Sequence, residues 1–308
     1  MLPAAAIWSI AFTCGPPRPL QPVLRPLHTP LSVLPPASGW LRPHVALSRG
    51  RPLVLAWDAT ALISTAAAQD AGVALTLAAL AKVWVQLWGS LASSGAMPST
   101  LTRKLIHAGT GPLFVLGWPF FSDSPRAVWA ACAVPALNLV RLFLAGKDGG
   151  SSDEAVAALS RTGAPSEVRK GPFYYTAVLL AATALSFRAL PGVIAVCQMA
   201  VGDGLADIVG RRLGKTPWGI VENKTVEGSL AFVAGAFTAS LAMLSGCHAL
   251  GYTTYTASAA LAPLLAISVA CASVELLSAP LRCAVGEWGD DNLTVPAVAA
   301  ALTALLLR

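Results

Sequence analysis

Apolar residues run through this chain in long unbroken blocks separated by polar stretches, rather than alternating or recurring in narrow stripes. The blocks, rich in Ala and Leu, run roughly 16 to 22 residues, and a helix of about 20 residues is what a hydrocarbon layer of about 30 Å requires. The expected fold is therefore all-α, a polytopic membrane protein with about eight transmembrane helices over approximately 70–91, 104–121, 126–145, 173–190, 192–209, 227–247, 258–279 and 293–308. An earlier apolar piece, Leu53 to Ala68, is short and carries Asp58, and is not counted as a span. A membrane β-barrel fits poorly, because its strands would be short, alternating and girdled by aromatic residues.

Composition agrees with the pattern. Of 308 residues, 55% are hydrophobic and only 12% charged, which points to lipid as solvent. The net charge of +6 changes meaning once located. Up to Trp57 there are five arginines and no acid, leaving sixteen basic against fifteen acidic residues in the remainder. That acid-free stretch, with clustered prolines such as Pro16, Pro17, Pro35 and Pro36, has the composition of an organelle transit peptide, chloroplast ahead of mitochondrion. So many prolines predict disorder over 1–57, ahead of a membrane domain over 58–308. The rest is too balanced in charge to orient its loops by a positive-inside count. No stretch interleaves basic and aromatic residues as a nucleic-acid binder does, so nucleic acid is not an expected partner. Six cysteines without a CxxC read as small core residues, and four histidines show no metal-ligand spacing.

Three polar connections stand out: Gly146 to Gly171, Arg211 to Glu227 and Arg282 to Asn292. Just ahead of the second, Asp203 and Asp207 are four residues apart, so both project from one helical face. A carboxylate meeting lipid unpaired costs about 2.5–3.5 kcal/mol on insertion scales, and two on one face ask for a shared cation. Mg²⁺ suits them, because it prefers one or two carboxylates plus substrate phosphates. Gly202, Gly204 and Gly210 leave room for close approach, and Arg211, Arg212, Lys215 and Lys224 can hold phosphate oxygens. The plainer alternative is ion pairing within the bundle, with Arg211 and Arg212 as headgroup anchors.

In KTVEGS, Thr225 can cap the following helix with Glu227 in its first turn. Glu275 sits inside the seventh span, and Glu287, Asp290, Asp291 and Asn292 lead into the last, where Asp291 and Asn292 can cap it. At the mouth of the second span, Lys104 and His107 share a face with each other, either as an anchor or as part of a site. Neither a P-loop, a kinase-type GxGxxG nor a nucleophile elbow occurs in context, which excludes a soluble-kinase fold.

At these residues the chain resembles the polyprenol kinase family of dolichol, farnesol and phytol kinases, with a more distant likeness to membrane CDP-diglyceride synthases. The matching pieces are RKLIHAGTG (Arg103 to Gly111), WPFFSDS (Trp118 to Ser124), RKGPFYY (Arg169 to Tyr175), GDGLADIVGRRLGKTPW (Gly202 to Trp218), NKTVEGS (Asn223 to Ser229) and DDNLTVP (Asp290 to Pro296). They span nearly the whole chain beyond the leader, in family order, and are most similar to the plant and algal chloroplast phytol kinases. The segment LRCAVGEW and the Gly-rich stretch near Ala145 to Ser152 depart from the family pattern.

The resemblance implies CTP-dependent phosphorylation of phytol to phytyl phosphate for tocopherol synthesis, in a chloroplast membrane. Asp203 and Asp207 would then hold Mg²⁺ on the nucleotide phosphates. Arg211, Lys215 and Lys224 would neutralise charge on the transferred group, with Lys104 and Asn292 as further nucleotide contacts. Glu227, Asp290 or Asp291 could orient or deprotonate the prenyl hydroxyl, with His107 as a weaker base. Two rivals remain: a cytidylyltransferase joining CTP to a lipid phosphate, and a transporter, against which no internal repeat is found.

Overall fold

The computed structural model describes residues 53–146, 167 and 169–307, with side chains from residue 65 on. Of the expected leader over 1–57, residues 1–52 lie outside the described residues and 53–57 are helical; most of the connection after Gly146 also lies outside them.

The apolar blocks fold as helices, as their length and Ala/Leu content dictate. In chain order they are α1 (Leu53–Ser93), α2 (Ser99–Leu116), α3 (Ala127–Ala145), α4 (Gly171–Ser186), α5 (Leu190–Cys197), α6 (Asp203–Leu213), α7 (Val226–Ala249), α8 (Ala257–Leu276), α9 (Ser278–Val285) and α10 (Asp291–Leu306). Among the described residues the sole β feature is an isolated antiparallel bridge between Pro217 and Thr225. Helix starts follow capping chemistry. Thr225 accepts from the Gly228 amide at 3.2 Å, and Thr256 from Ala259 at 3.4 Å. Pro172 and Pro191 occupy the first turns of α4 and α5, where a missing amide costs nothing.

Each expected span corresponds to a helix, with two differences. The segment Leu53 to Ala68, left out of the first span for its shortness and its Asp58, is the opening part of one 41-residue helix. The fifth span is a continuous rod from Leu190 to Leu213 in which α5 and α6 are joined by a π-helical turn, Gln198–Gly202. Among the described residues five helical stretches are long and apolar enough to cross a membrane: Thr65–Ser93, Ala127–Ala145, Leu190–Leu213, Val226–Ala249 and Ala257–Leu276. Helices α2, α4 and α10 do not meet that standard.

The α5–α6 rod is the hub of the bundle. Its apolar window is 72% buried inside the protein, against 6% for that of α1, so the rod can carry polar side chains that a lipid-facing helix could not. Around it, one core gathers Leu264 and Ile267 of α8, Phe232 of α7 and Val295 of α10; a second gathers Phe114, Trp118, Tyr175 and Leu179 with Leu77 of α1.

The bundle has two distinct ends. At one, Asp70 of α1 accepts from both the amide and the hydroxyl of Ser122, at 2.6 and 2.9 Å. There Arg188, left-handed at φ 61°, donates to the Trp118 carbonyl and to Asp123 and lies over the Tyr252 ring. At the other end the starts of α2, α4, α7 and α10 meet the ends of α3, α6 and α8, and the described polar residues Lys170, Lys224 and Glu287 of the connections collect there. Buried Cys132, Cys197 and Cys271 are free thiols in the apolar interior, as their sequence setting predicts, whereas Cys283 is exposed.

A candidate active site at the polar end of the bundle

The site starts at a close helix crossing. Gly204 of α6 faces Ala108 of α2, and a Cβ on the glycine would lie 2.7 Å from that of Ala108. This approach lays Lys104 and His107, one turn apart on α2, directly over Asp203. Lys104 Nζ donates to Asp203 Oδ2 at 2.9 Å, and His107 Nε2 lies 3.1 Å from the same oxygen. His107 Nε2 also sits 3.2 Å from the Met199 carbonyl, inside the π-helical turn. Such turns recur at functional sites because the extra residue re-aims the groups around it. Tyr175 of α4 steadies the arrangement, donating to the His107 carbonyl at 2.8 Å with its ring 4.5 Å from the imidazole. Gly111 makes room for that hydroxyl, since a Cβ there would lie 2.6 Å from it.

The sequence's second acidic cluster arrives from the far side. Asp290, rather than Asp291 or Asn292, is the residue that caps α10: it accepts from the Asn292 amide at 3.0 Å and pairs with Arg282 at 3.0 Å. Asp291, Asn292, Lys104, His107 and Asp203 all line one cavity of about 1410 Å³ that continues between α1 and α3. Asp291 lies within electrostatic reach of Asp203, Lys104 and Lys224.

Lys224, which no local role accounts for, pairs with buried Glu275 of α8. Its loop folds back on itself to deliver it. Val226 donates to the Thr216 carbonyl at 2.9 Å and Trp218 to that of Lys224 at 3.1 Å, while Asn223 takes the left-handed conformation that Asn tolerates, φ 59°. Glu227 braces the same loop, accepting from both the amide and the hydroxyl of Thr216. Of the predicted site residues, Asp207, Arg211, Lys215, Lys224 and Glu227 do not line the cavity, and Lys215 is exposed.

Asp207 stands one turn beyond Asp203 and pairs with Arg211 at 2.8 Å on a half-exposed face. Each aspartate thus has its own basic partner, the ion pairing within the bundle that the sequence also allowed, and Lys104 is within electrostatic reach of both. Among the described residues no three His, Cys, Asp or Glu side chains converge as a metal cluster. Sequence reasoning did not single out Tyr175, Gly111 or the pairing of Lys224 with Glu275, because those partners are far apart along the chain.

These features describe an all-helical protein with membrane-length apolar helices that presents a charged cluster at the head of a largely apolar cavity. No family model matches the chain, and no solved structure matches it. Curated relatives do. The chain is 36% identical over 230 residues to a probable chloroplastic phytol kinase 2 of Oryza sativa subsp. japonica, covering 74% of this chain and 73% of that protein. It is 36% identical to the chloroplastic farnesol kinase of Arabidopsis thaliana, covering 71% and 69%, and 32% identical to phytol kinase 1 of the same plant, covering 76% and 77%. The chain belongs to the polyprenol kinase family, with the plant phytol and farnesol kinases.

Proposed function

We propose that this protein is a chloroplast-membrane kinase that transfers the γ-phosphoryl group of CTP to the hydroxyl of a prenyl alcohol, most of all phytol, giving phytyl phosphate for tocopherol synthesis. The observation that carries the proposal is the Lys104–Asp203–His107 cluster at the head of the apolar cavity, in a chain whose relatives are named phytol and farnesol kinases. On this reading α2, α4 and α10 join the five longer stretches as membrane passes, making eight, with each end of the bundle at a headgroup layer.

In the reaction the alcohol oxygen bonds to the γ-phosphorus and the bond from phosphorus to the β,γ-bridging oxygen breaks. CDP leaves, and the hydroxyl proton passes to a base. Positioning and charge neutralisation dominate such transfers. Lys104, Lys224 and Arg211 supply positive charge from three elements, with Lys215 exposed on the loop between α6 and α7 and Asn292 on the cavity wall. Asp203 and Asp207, two carboxylates one turn apart on one helical face, are the residues that would hold a divalent ion, each now paired with its own cation, Lys104 and Arg211. Mg²⁺ held there would neutralise nucleotide phosphates. Asp291 and His107 line the cavity where the hydroxyl would stand, whereas the Glu227 carboxylate is engaged by Thr216; the first two are the favoured bases.

The test is a membrane assay with γ-labelled CTP, Mg²⁺ and phytol, beside farnesol, geranylgeraniol and dolichol, and with Asp203→Asn as control. Label in phytyl phosphate, lost in the variant, supports the kinase. Release of pyrophosphate from CTP in the presence of a lipid phosphate, without label in any prenyl alcohol, assigns a cytidylyltransferase instead.

A further inference from the structure

The cavity does not end at the charged cluster. Its lining continues along α1 from Gln86 to Ala71, fifteen residues or about 22 Å at 1.5 Å per residue. Contacts between α1 and α2 fix the depth scale. Trp84 packs on Gly109, Leu77 on Gly117, and Asp70 bonds to Ser122, so Gln86 stands level with His107 and Ala71 at the far end. Ala71 and Ala130 flank one smaller hollow there, which places Ala130 of α3 at the same depth. Val134, four residues nearer the head on α3, then lies about 16 Å below His107. The trough is open on its outer side, because Leu75, Leu80 and Leu137 line it and are themselves exposed.

We infer that the isoprenoid tail of the acceptor alcohol lies in this trough between α1 and α3, entering sideways from the bilayer, and that Val134 marks the depth that only long tails reach. This rests on the prenyl-alcohol reading above and adds where the tail goes. The occupant follows from continuity: Lys104, His107 and Asp203 close the head, Lys82, Asn138 and Arg141 line the upper part of the trough, and beyond Asn138 the walls are largely Ala, Leu and Val. The lengths agree. An extended chain advances roughly 1.2 Å per bond, a third of the 3.3–3.6 Å covered by three polypeptide backbone bonds, so the sixteen-carbon main chain of phytol spans about 18 Å and the eight-carbon chain of geraniol about 8 Å. A trough about 22 Å deep holds the first whole, and the second stops well short of Val134.

Val134→Trp in the full membrane-embedded chain is the experiment, with geraniol and phytol compared at saturating nucleotide. The expected result is a fall of tenfold or more in kcat/KM for phytol, with geraniol changed less than threefold. Leu261→Trp, on the exposed face of α8 outside the trough, leaves both within threefold. An unchanged phytol value, or an equal fall for both alcohols in a variant that still elutes as the folded protein, overturns the inference. A second measurement does not need turnover: a prenyl alcohol of phytol length with a terminal diazirine, photolysed on the wild-type protein, labels peptides covering 71–78 and 130–134. Label spread over the lipid-facing surfaces of α7 and α8 overturns the tail seat. Label in the trough without phosphorylation of any alcohol refutes the kinase and leaves the tail seat standing.

Discussion

Replacing Gly204 with alanine tests whether the crossing of α2 and α6 sets the chemistry. The new methyl would start 2.7 Å from the Ala108 Cβ, where carbon atoms settle at about 3.5–4.0 Å. The helices must part by about 1 Å. Moved by that amount, the Lys104–Asp203 contact of 2.9 Å and the His107–Asp203 contact of 3.1 Å pass beyond the hydrogen-bonding range of about 3.2 Å. Two stability effects oppose each other. Overpacking costs about 1–3 kcal/mol, and alanine returns about 1 kcal/mol of helix propensity over glycine. The protein should therefore fold with a net loss of about 0–2 kcal/mol. Activity should suffer far more, because a displacement of about 1 Å at a reacting centre can cost on the order of 10²-fold. Turnover of phytol per mole of monodisperse protein is the readout, with detergent-solubilised thermal unfolding beside it. Gly246→Ala is the control, since nothing lies within 4 Å of a Cβ there. Wild-type turnover in a folded Gly204→Ala protein would refute the assignment of this crossing to catalysis.

Two further substitutions separate pairing from chemistry. Lys224→Met leaves buried Glu275 uncompensated and should destabilise by about 3–5 kcal/mol, most of it recovered in Lys224→Met/Glu275→Gln; unfolding in detergent measures both, and equal stability of single and double variants would count against the pair. Arg211→Ala loses an exposed one-turn ion pair worth about 0.3–0.5 kcal/mol, so stability should hold while nucleotide KM rises about tenfold or more, the scale of one charge-assisted contact to phosphate. An unchanged KM removes Arg211 from the nucleotide site.

The helices were legible because a membrane helix is a one-dimensional object: about 20 apolar residues announce it without reference to anything else. The first span was misjudged for the same reason. Leu53 to Ala68 alone is too short, and its continuity with the following residues in one helix is not visible in local composition. Asp203, Lys104 and His107 were legible as polar residues out of place, yet their meeting needs the glycine at 204 and a partner 99 positions away. Glu275 shows the limit more sharply. It stood out as an acid inside a span, and only the fold brings Lys224 to it across 51 positions. Gln198, bonded to Ser240 and Ser268 inside the bundle, gives no sequence signal beyond one amide in an apolar run.

Among the described residues the two ends of the bundle differ in basic charge, although the whole-chain count is balanced. Flanking the helices at the site end are Arg103, Lys104, Arg169, Lys170, Arg211, Arg212, Lys215, Lys224 and Arg282; at the opposite end, among the described residues, stand Arg126 and Arg188. Basic loops resist translocation, so the face of the bilayer from which the chain is inserted should be the one that keeps the site. Exposed Cys283 lies on that face and serves as its reporter: a membrane-impermeant maleimide should reach it from the insertion side of sealed vesicles and not from the other. Nucleotide would then meet the site from the insertion side, and only the alcohol would need to arrive through lipid.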